Sequence, residues 1–174
     1  MSNQRPLKLD DLKYELQLLF GADSIVSIIE EWDKTHSGNN KFGNIVNYFK
    51  DSVYLHSRNL LNALTNEYST ELGSIPSGIT SELYGEWKRA LERYVTHLNQ
   101  ARDQKGDSNK INDKHLNEQV HKLAEAVAIC WIEWITKCTN TSDQVKLRSL
   151  FSETREAAAL DSQRFEKLIE KGAS

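Results

Sequence analysis

Proline and glycine are scarce in this chain: its 174 residues hold two prolines and eight glycines. Turn-dense β architectures, collagen-like repeats and low-complexity linkers all need more of both, so these classes are excluded. Two cysteines are too few for a disulfide-built scaffold. Cys130 and Cys138 fall in one helical-looking segment. A rise of about 1.5 Å per residue sets them about 12 Å apart, beyond disulfide reach. They read as reduced thiols of a cytoplasmic protein. The opening MSNQRPLKLDDLKYE lacks the apolar stretch of a secretory signal. Long hydrophobic runs are missing too. The most apolar stretch, Leu123 to Cys138, is interrupted by Glu125, Glu133 and Lys137 and falls short of a membrane span. Nor is there an excess of one charge: 22 Lys+Arg against 25 Asp+Glu leave a net charge of −3. That balance excludes a protein whose main business is holding nucleic acid by bulk charge.

What is present is helical periodicity. Apolar residues recur at three and four along most of the chain, and no clean alternation of several residues occurs. A first helix is expected over about 9 to 20, on Leu9, Leu12, Leu16, Leu19 and Phe20, with Gly21 as its stop. Asp23 or Ser24 then caps a second, on Ile25, Ile28, Ile29 and Trp32. After the loop composition of His36 to Asn40, the longest stripe runs through Phe42, Val46, Phe49, Val53, His56, Leu60 and Leu64. Residues 68–80 hold Pro76 and two glycines and read as a crossover loop. A helix over about 81–102 is expected to turn Leu83, Trp87, Leu91, Tyr94 and Leu98 inward, ahead of a polar stretch over 103–113.

The next helix, about 114–138, carries Leu116, Val120, Leu123, Val127, Trp131, Trp134 and Cys138 on one face, widened by Ile132 and Ile135. The last, about 143–170, is amphipathic through Leu147, Leu150, Phe151, Ala158, Phe165 and Leu168. The expected fold is all-α: an up-and-down helical bundle of five to six helices in a single domain over 1–174. Its core lies at about 42–140, with the N-terminal helices 9–34 and the C-terminal helix 143–170 packed on it. The Trp131, Ile132, Trp134 and Ile135 girdle exceeds what one neighbouring helix covers, which points to a homodimer.

Most chemical signatures are absent. The chain has no phosphate-binding glycine loop, no CxxC, no HExxH and no GxSxG elbow. His115, His121 and Cys130 are the nearest approach to a metal set, and their spacing along one helix is wrong for a shared ion. No metal and no cofactor is expected. Two stretches remain. In the first, Tyr54 to Leu64, His56 and Asn59 share a helical face, whereas Arg58 lies about 160° round. His56 there is either a core histidine bonded to a backbone carbonyl or to Asn59, or part of a functional polar slot between helices. In the second, Trp87 to Arg102, Arg89, Arg93 and His97 fall on one strip, four apart, a pattern able to hold a phosphate or a carboxylate. Arg102 is rotated about 140° from His97 and faces the helix dipole. The same strip also fits an ordinary solvated face beside Glu86 and Glu92.

The motifs His56-Ser57-Arg58-Asn59-Leu60-Leu61 and His97-Leu98-Asn99-Gln100-Ala101-Arg102 resemble those of a group of small uncharacterised bacterial helical proteins. In that group the two helices read roughly HARxLIDFL and HLTxxR. The resemblance covers about residues 42 to 140, and Asn62-Ala63 replaces the usual Asp-Phe. At fold level the group is similar to HEPN-type four-helix domains, many of them metal-independent ribonucleases of toxin–antitoxin and anti-phage systems. Their signature is an Arg followed after four to six residues by His. Here Arg93 precedes His97 with three residues between and Arg89 with seven, so the signature is not met.

Two functions follow as expectations. The first is a binding or interaction module with a small His/Arg anion site formed by His56, Arg58, Asn59, Arg89, Arg93, His97 and Arg102. The alternative is a HEPN-like ribonuclease or nucleotide-binding protein, with His97 as general acid/base, Arg93 stabilising phosphorane charge and His56 completing the site. The expected partners are a second copy, a protein, or an RNA or phosphate-containing ligand. A membrane surface is not among them, because the charges of the last helix are balanced in sign.

Overall fold

The computed structural model describes residues 8–36, 42–64, 91 and 113–172, the side chains of 113–119 excepted. All regular structure within them is α-helical: α1 (Leu9–Thr35), α2 (Gly43–Leu64), α3 (Asp113–Lys137) and α4 (Thr141–Gly172). The all-α expectation therefore holds, with four helices among the described residues rather than five to six. The helix expected over 81–102 lies outside them, except for Leu91, which is helical and buried.

The N-terminal pair of helices is in fact one. α1 runs unbroken through Gly21, which replaces the expected stop. Its buried residues, Leu12, Leu16, Leu19, Phe20, Ala22, Val26 and Ile29, form one continuous stripe. Packing along that stripe outweighs the roughly 1 kcal/mol by which glycine disfavours a helix interior. Continuity also sets the phase of the second half. Val26 and Ile29 turn inward, while Ile25 and Ile28, expected on the buried face, are only half-buried. At the start of α1 the Lys8 backbone N–H donates to Asp11 Oδ2 at 2.9 Å, and Asp10 and Asp11 face the positive end of the helix dipole.

α1 and α2 form an antiparallel hairpin. Trp32 meets Phe42 edge-on near the connection, with ring centroids 5.0 Å apart, and contacts further along join Glu30 to Lys50 and Glu15 to His56. α4 packs along α1, while α3 lies chiefly against α2, with smaller contacts to α1 and α4. The connection from α3 to α4 is short. Asn140 Oδ1 accepts the Ser142 backbone N–H at 2.9 Å and so caps α4.

The core gathers the expected stripes of all four helices. Val53, Leu60 and Leu64 of α2 meet Val120, Leu123, Val127, Trp131 and Trp134 of α3 and Leu147 of α4 in one cluster. Trp131, Trp134 and Ile135 are at most 2% exposed, so the girdle that pointed to a dimer is consumed within the chain, apart from Ile132 at 46%. On α4, Ile169 takes the buried place expected of Leu168, which is 67% exposed.

Gly21 offers a direct check on the single-helix reading. A Cβ built on it meets nothing within 4 Å. Gly21→Ala is expected to raise stability by about 0.5–1 kcal/mol in urea denaturation, because it removes unfolded-state freedom from a mid-helix position. A glycine terminating a helix in the left-handed conformation would instead lose stability on the same change.

Candidate functional site

The sequence-predicted site residues that the structure describes are His56, Arg58 and Asn59 on α2. His56 faces α1, where its Nδ1 lies 2.7 Å from Glu15 Oε2. An ionised carboxylate only accepts hydrogen bonds, so the ring donates from Nδ1. Asn59 Nδ2 donates to the same oxygen at 3.1 Å. His56 and Asn59 therefore do share a face, but their common partner is an acid from the neighbouring helix rather than each other or a backbone carbonyl. His56 is 8% exposed, and Tyr14 approaches its ring edge-on with centroids 6.3 Å apart. Arg58 points elsewhere, as its rotation requires. Its Nε is buried with no hydrogen-bond partner among the described residues. Arg89, Arg93, His97 and Arg102 lie outside the described residues.

A second histidine forms a larger cluster. His121, on α3, places Nδ1 2.6 Å from Asp23 Oδ1 and Nε2 3.4 Å from Glu30 Oε2. Asp23 and Glu30 are seven residues apart on α1, about two turns, and so lie on the same side of that helix. Glu30 Oε1 also holds Lys50 of α2, with Nζ 2.9 Å away. Lys50 is itself buried, and a buried ammonium without an anionic partner is strongly disfavoured. The cluster thus joins three helices through alternating charges.

Titration follows the geometry. Hydrogen bonding to Asp23, then to Glu30, outweighs burial and lifts His121 to about 9. The bond to His121 likewise brings Glu30 down to about 2, aided by Lys50. Burial pushes the Cys130 thiol up to about 11 and raises that of Cys138, so neither is a ready nucleophile.

Sequence reasoning weighed His121 only as a metal ligand beside His115 and Cys130. No group of three His, Cys, Asp or Glu side chains able to hold a metal ion occurs among the described residues. Glu15, Glu30 and Lys50 were not singled out, and Asp23 was read only as a helix cap, a role that the unbroken α1 removes. The spacing of seven between two acids on α1 was visible, but every partner lies many residues away in the chain, where no local pattern announces it. Phe42, Ile45, Phe165, Leu168, Ile169 and Gly172 line a groove of about 250 Å³ between the start of α2 and the end of α4, with no titratable side chain in its wall. No described helix is long and apolar enough to cross a membrane. Comparison of the chain with protein-family models, curated proteins and solved structures finds no match.

The contacts among described residues thus do the work of cross-links: a histidine or lysine on one helix meets a carboxylate on α1. Two measurements test them. Glu15→Ala strips His56 and Asn59 of their shared acceptor and is expected to cost about 1–3 kcal/mol in urea denaturation, with Glu15→Gln recovering part of the loss. The second is pH-dependent. His121 is raised from 6.5 to about 9, so its stabilisation is complete below about pH 6.5 and is lost as pH rises through 9. Glu30 is lowered from 4.5 to about 2, so its share is complete above pH 4.5 and is lost as pH falls through 2. The gap in urea midpoint between wild type and His121→Gln is therefore expected to be widest between pH 4.5 and 6.5 and to close towards pH 9.

Proposed function

We propose that the chain is a binding module: a helical bundle that offers a small His/Arg anion site to a partner and performs no chemistry itself. The observation that supports this reading is the engagement of His56. A ribonuclease mechanism in which His56 completes the site needs that ring in an open cleft. Here the ring is 8% exposed, and Glu15 holds its Nδ1 and its neighbour Asn59. A histidine so held ties α1 to α2. His121 is likewise tied to Asp23 and Glu30.

The anion site rests on the sequence pattern of Arg89, Arg93 and His97, with Arg102 at the end of the same stretch. Arg58 adds a guanidinium with donor capacity left over, since its Nε meets no acceptor among the described residues. Arginines one and two turns before a histidine present several N–H donors to one phosphate or carboxylate, and arginine suits such groups through its planar fork. The bound group is thus a phosphate or carboxylate carried by a protein or nucleic-acid partner.

Titration with inorganic phosphate, followed by calorimetry, tests the site. Arg93→Ala is expected to weaken binding about tenfold, the factor that accompanies loss of one charge-assisted hydrogen bond of about 1.4 kcal/mol. In parallel, RNA incubated with the protein in EDTA should stay intact. Cleavage that disappears in His97→Ala would replace this reading with the ribonuclease one. Absence of phosphate binding would remove the anion site.

A further inference from the structure

The two carboxylates around His121 stand on opposite sides of one ring, and that arrangement demands a particular protonation state. Nδ1 faces Asp23 at 2.6 Å and Nε2 faces Glu30 at 3.4 Å. Only an imidazolium carries an N–H on both nitrogens. A neutral ring turns a lone pair towards one carboxylate, where hydrogen bonding gives way to repulsion. We propose that α3 is a proton-dependent latch helix: the protonated His121 ring clamps its first half to α1, and loss of that proton makes transient opening of α3, against the burial of its apolar face, more frequent while the other helices stay folded.

Three further observations carry this. The His121 side chain is 39% exposed, so the ring exchanges its proton with solvent without prior unfolding. Among the described helices α3 rests chiefly on α2 and touches α1 and α4 less, so the clasp is a large part of its hold on α1. And α3 docks at a cost: the indole N–H groups of Trp131 and Trp134 are buried with no acceptor among the described residues, a penalty relieved when the helix opens. Among the described residues, the charged groups facing His121 are Asp23 and Glu30 from α1, with Lys50 of α2 on the far side of Glu30. On α3 itself Lys122 and Glu125 are exposed. Lys50 opposes retention of the clasp once the ring is neutral, because it supplies Glu30 with a cation that does not depend on His121.

The protein carries its own reporters. Both cysteines lie on this helix or at its end, Cys130 at 1% and Cys138 at 5% exposure. Thiol labelling in the native state therefore reads the opening of α3. The experiment uses the full chain with Cys138→Ala, so that Cys130 is the single thiol. Its maleimide labelling rate is divided by that of the urea-unfolded protein at the same pH, from pH 7 to 9.5, with circular dichroism confirming that the helices persist. With His121 in place, protection of Cys130 is expected to fall at least about tenfold over that range, as the favoured proton is lost. In His121→Arg, whose cation does not titrate there, protection should stay level. In His121→Gln it should already be low at pH 7. Should the Gln variant fail to fold, the comparison of wild type with Arg decides alone. Protection that is flat with pH in the wild type, or that falls in step in the Arg variant, overturns the latch.

Discussion

Acids on one helix meeting cations from its neighbours form the interaction on which the rest of this bundle depends. α1 lies between α2 and α4, and the inter-helix ion pairs described above all have one end on it. Glu15 takes His56, Glu30 takes Lys50 and His121, Asp23 takes His121, and Lys13 reverses the sense by meeting Glu153 of α4 at 2.6 Å. That last pair is exposed and holds the Lys13 ammonium above and the Glu153 carboxyl below their usual ranges through the hydrogen bond between them. Such surface pairs stabilise little. The half-buried pairs matter differently, because a partner left alone in the apolar interior is far more costly than the pair itself.

Register is the consequence. A hydrophobic stripe tolerates sliding by a turn, since Leu, Ile and Val substitute for one another in a packed seam. A histidine between two carboxylates does not, because a shift of one turn leaves both ring nitrogens and Asp23 without these partners. The apolar cluster supplies the cohesion of the four helices, and the ionic contacts of α1 select one alignment among several apolar ones. The aromatic contacts follow that alignment. Phe20 meets Phe151 edge-on at 5.5 Å with the Arg155 guanidinium 4.8 Å above its ring, and Phe49 meets Phe165 at 5.8 Å.

The same commitment shapes the functional reading. A histidine that closes a seam between helices is a poor free base, however well its position in the sequence suits one. His56 illustrates this: its motif, its helical face and its apolar surroundings are compatible with catalysis, and only the arrival of Glu15 from another helix gives it a structural task. The binding reading rests its anion site on a different stretch, through the sequence pattern of Arg89, Arg93 and His97. His121 shows the converse, a residue without a motif that becomes the most strongly perturbed histidine described because two acids of α1 converge on it.

Periodicity determined much by itself. The all-α class, the inward faces of α2 and α3 and the burial of Trp131 and Trp134 were legible because each depends on residues within a few positions of one another. Gly21 was misread, because local propensity favours a stop there, whereas the stripe from Leu12 to Ile29 buries enough surface to carry the helix through. Leu168 and Ile169 were equally apolar, and only the direction of the neighbouring helix chose between them. The partners of His56, His121 and Lys50 belong to the tertiary structure alone. They sit 41, 98 and 20 residues from Glu15, Asp23 and Glu30. Charge attraction acts through space, so no spacing along the chain records which acid a given cation meets until packing brings the helices together.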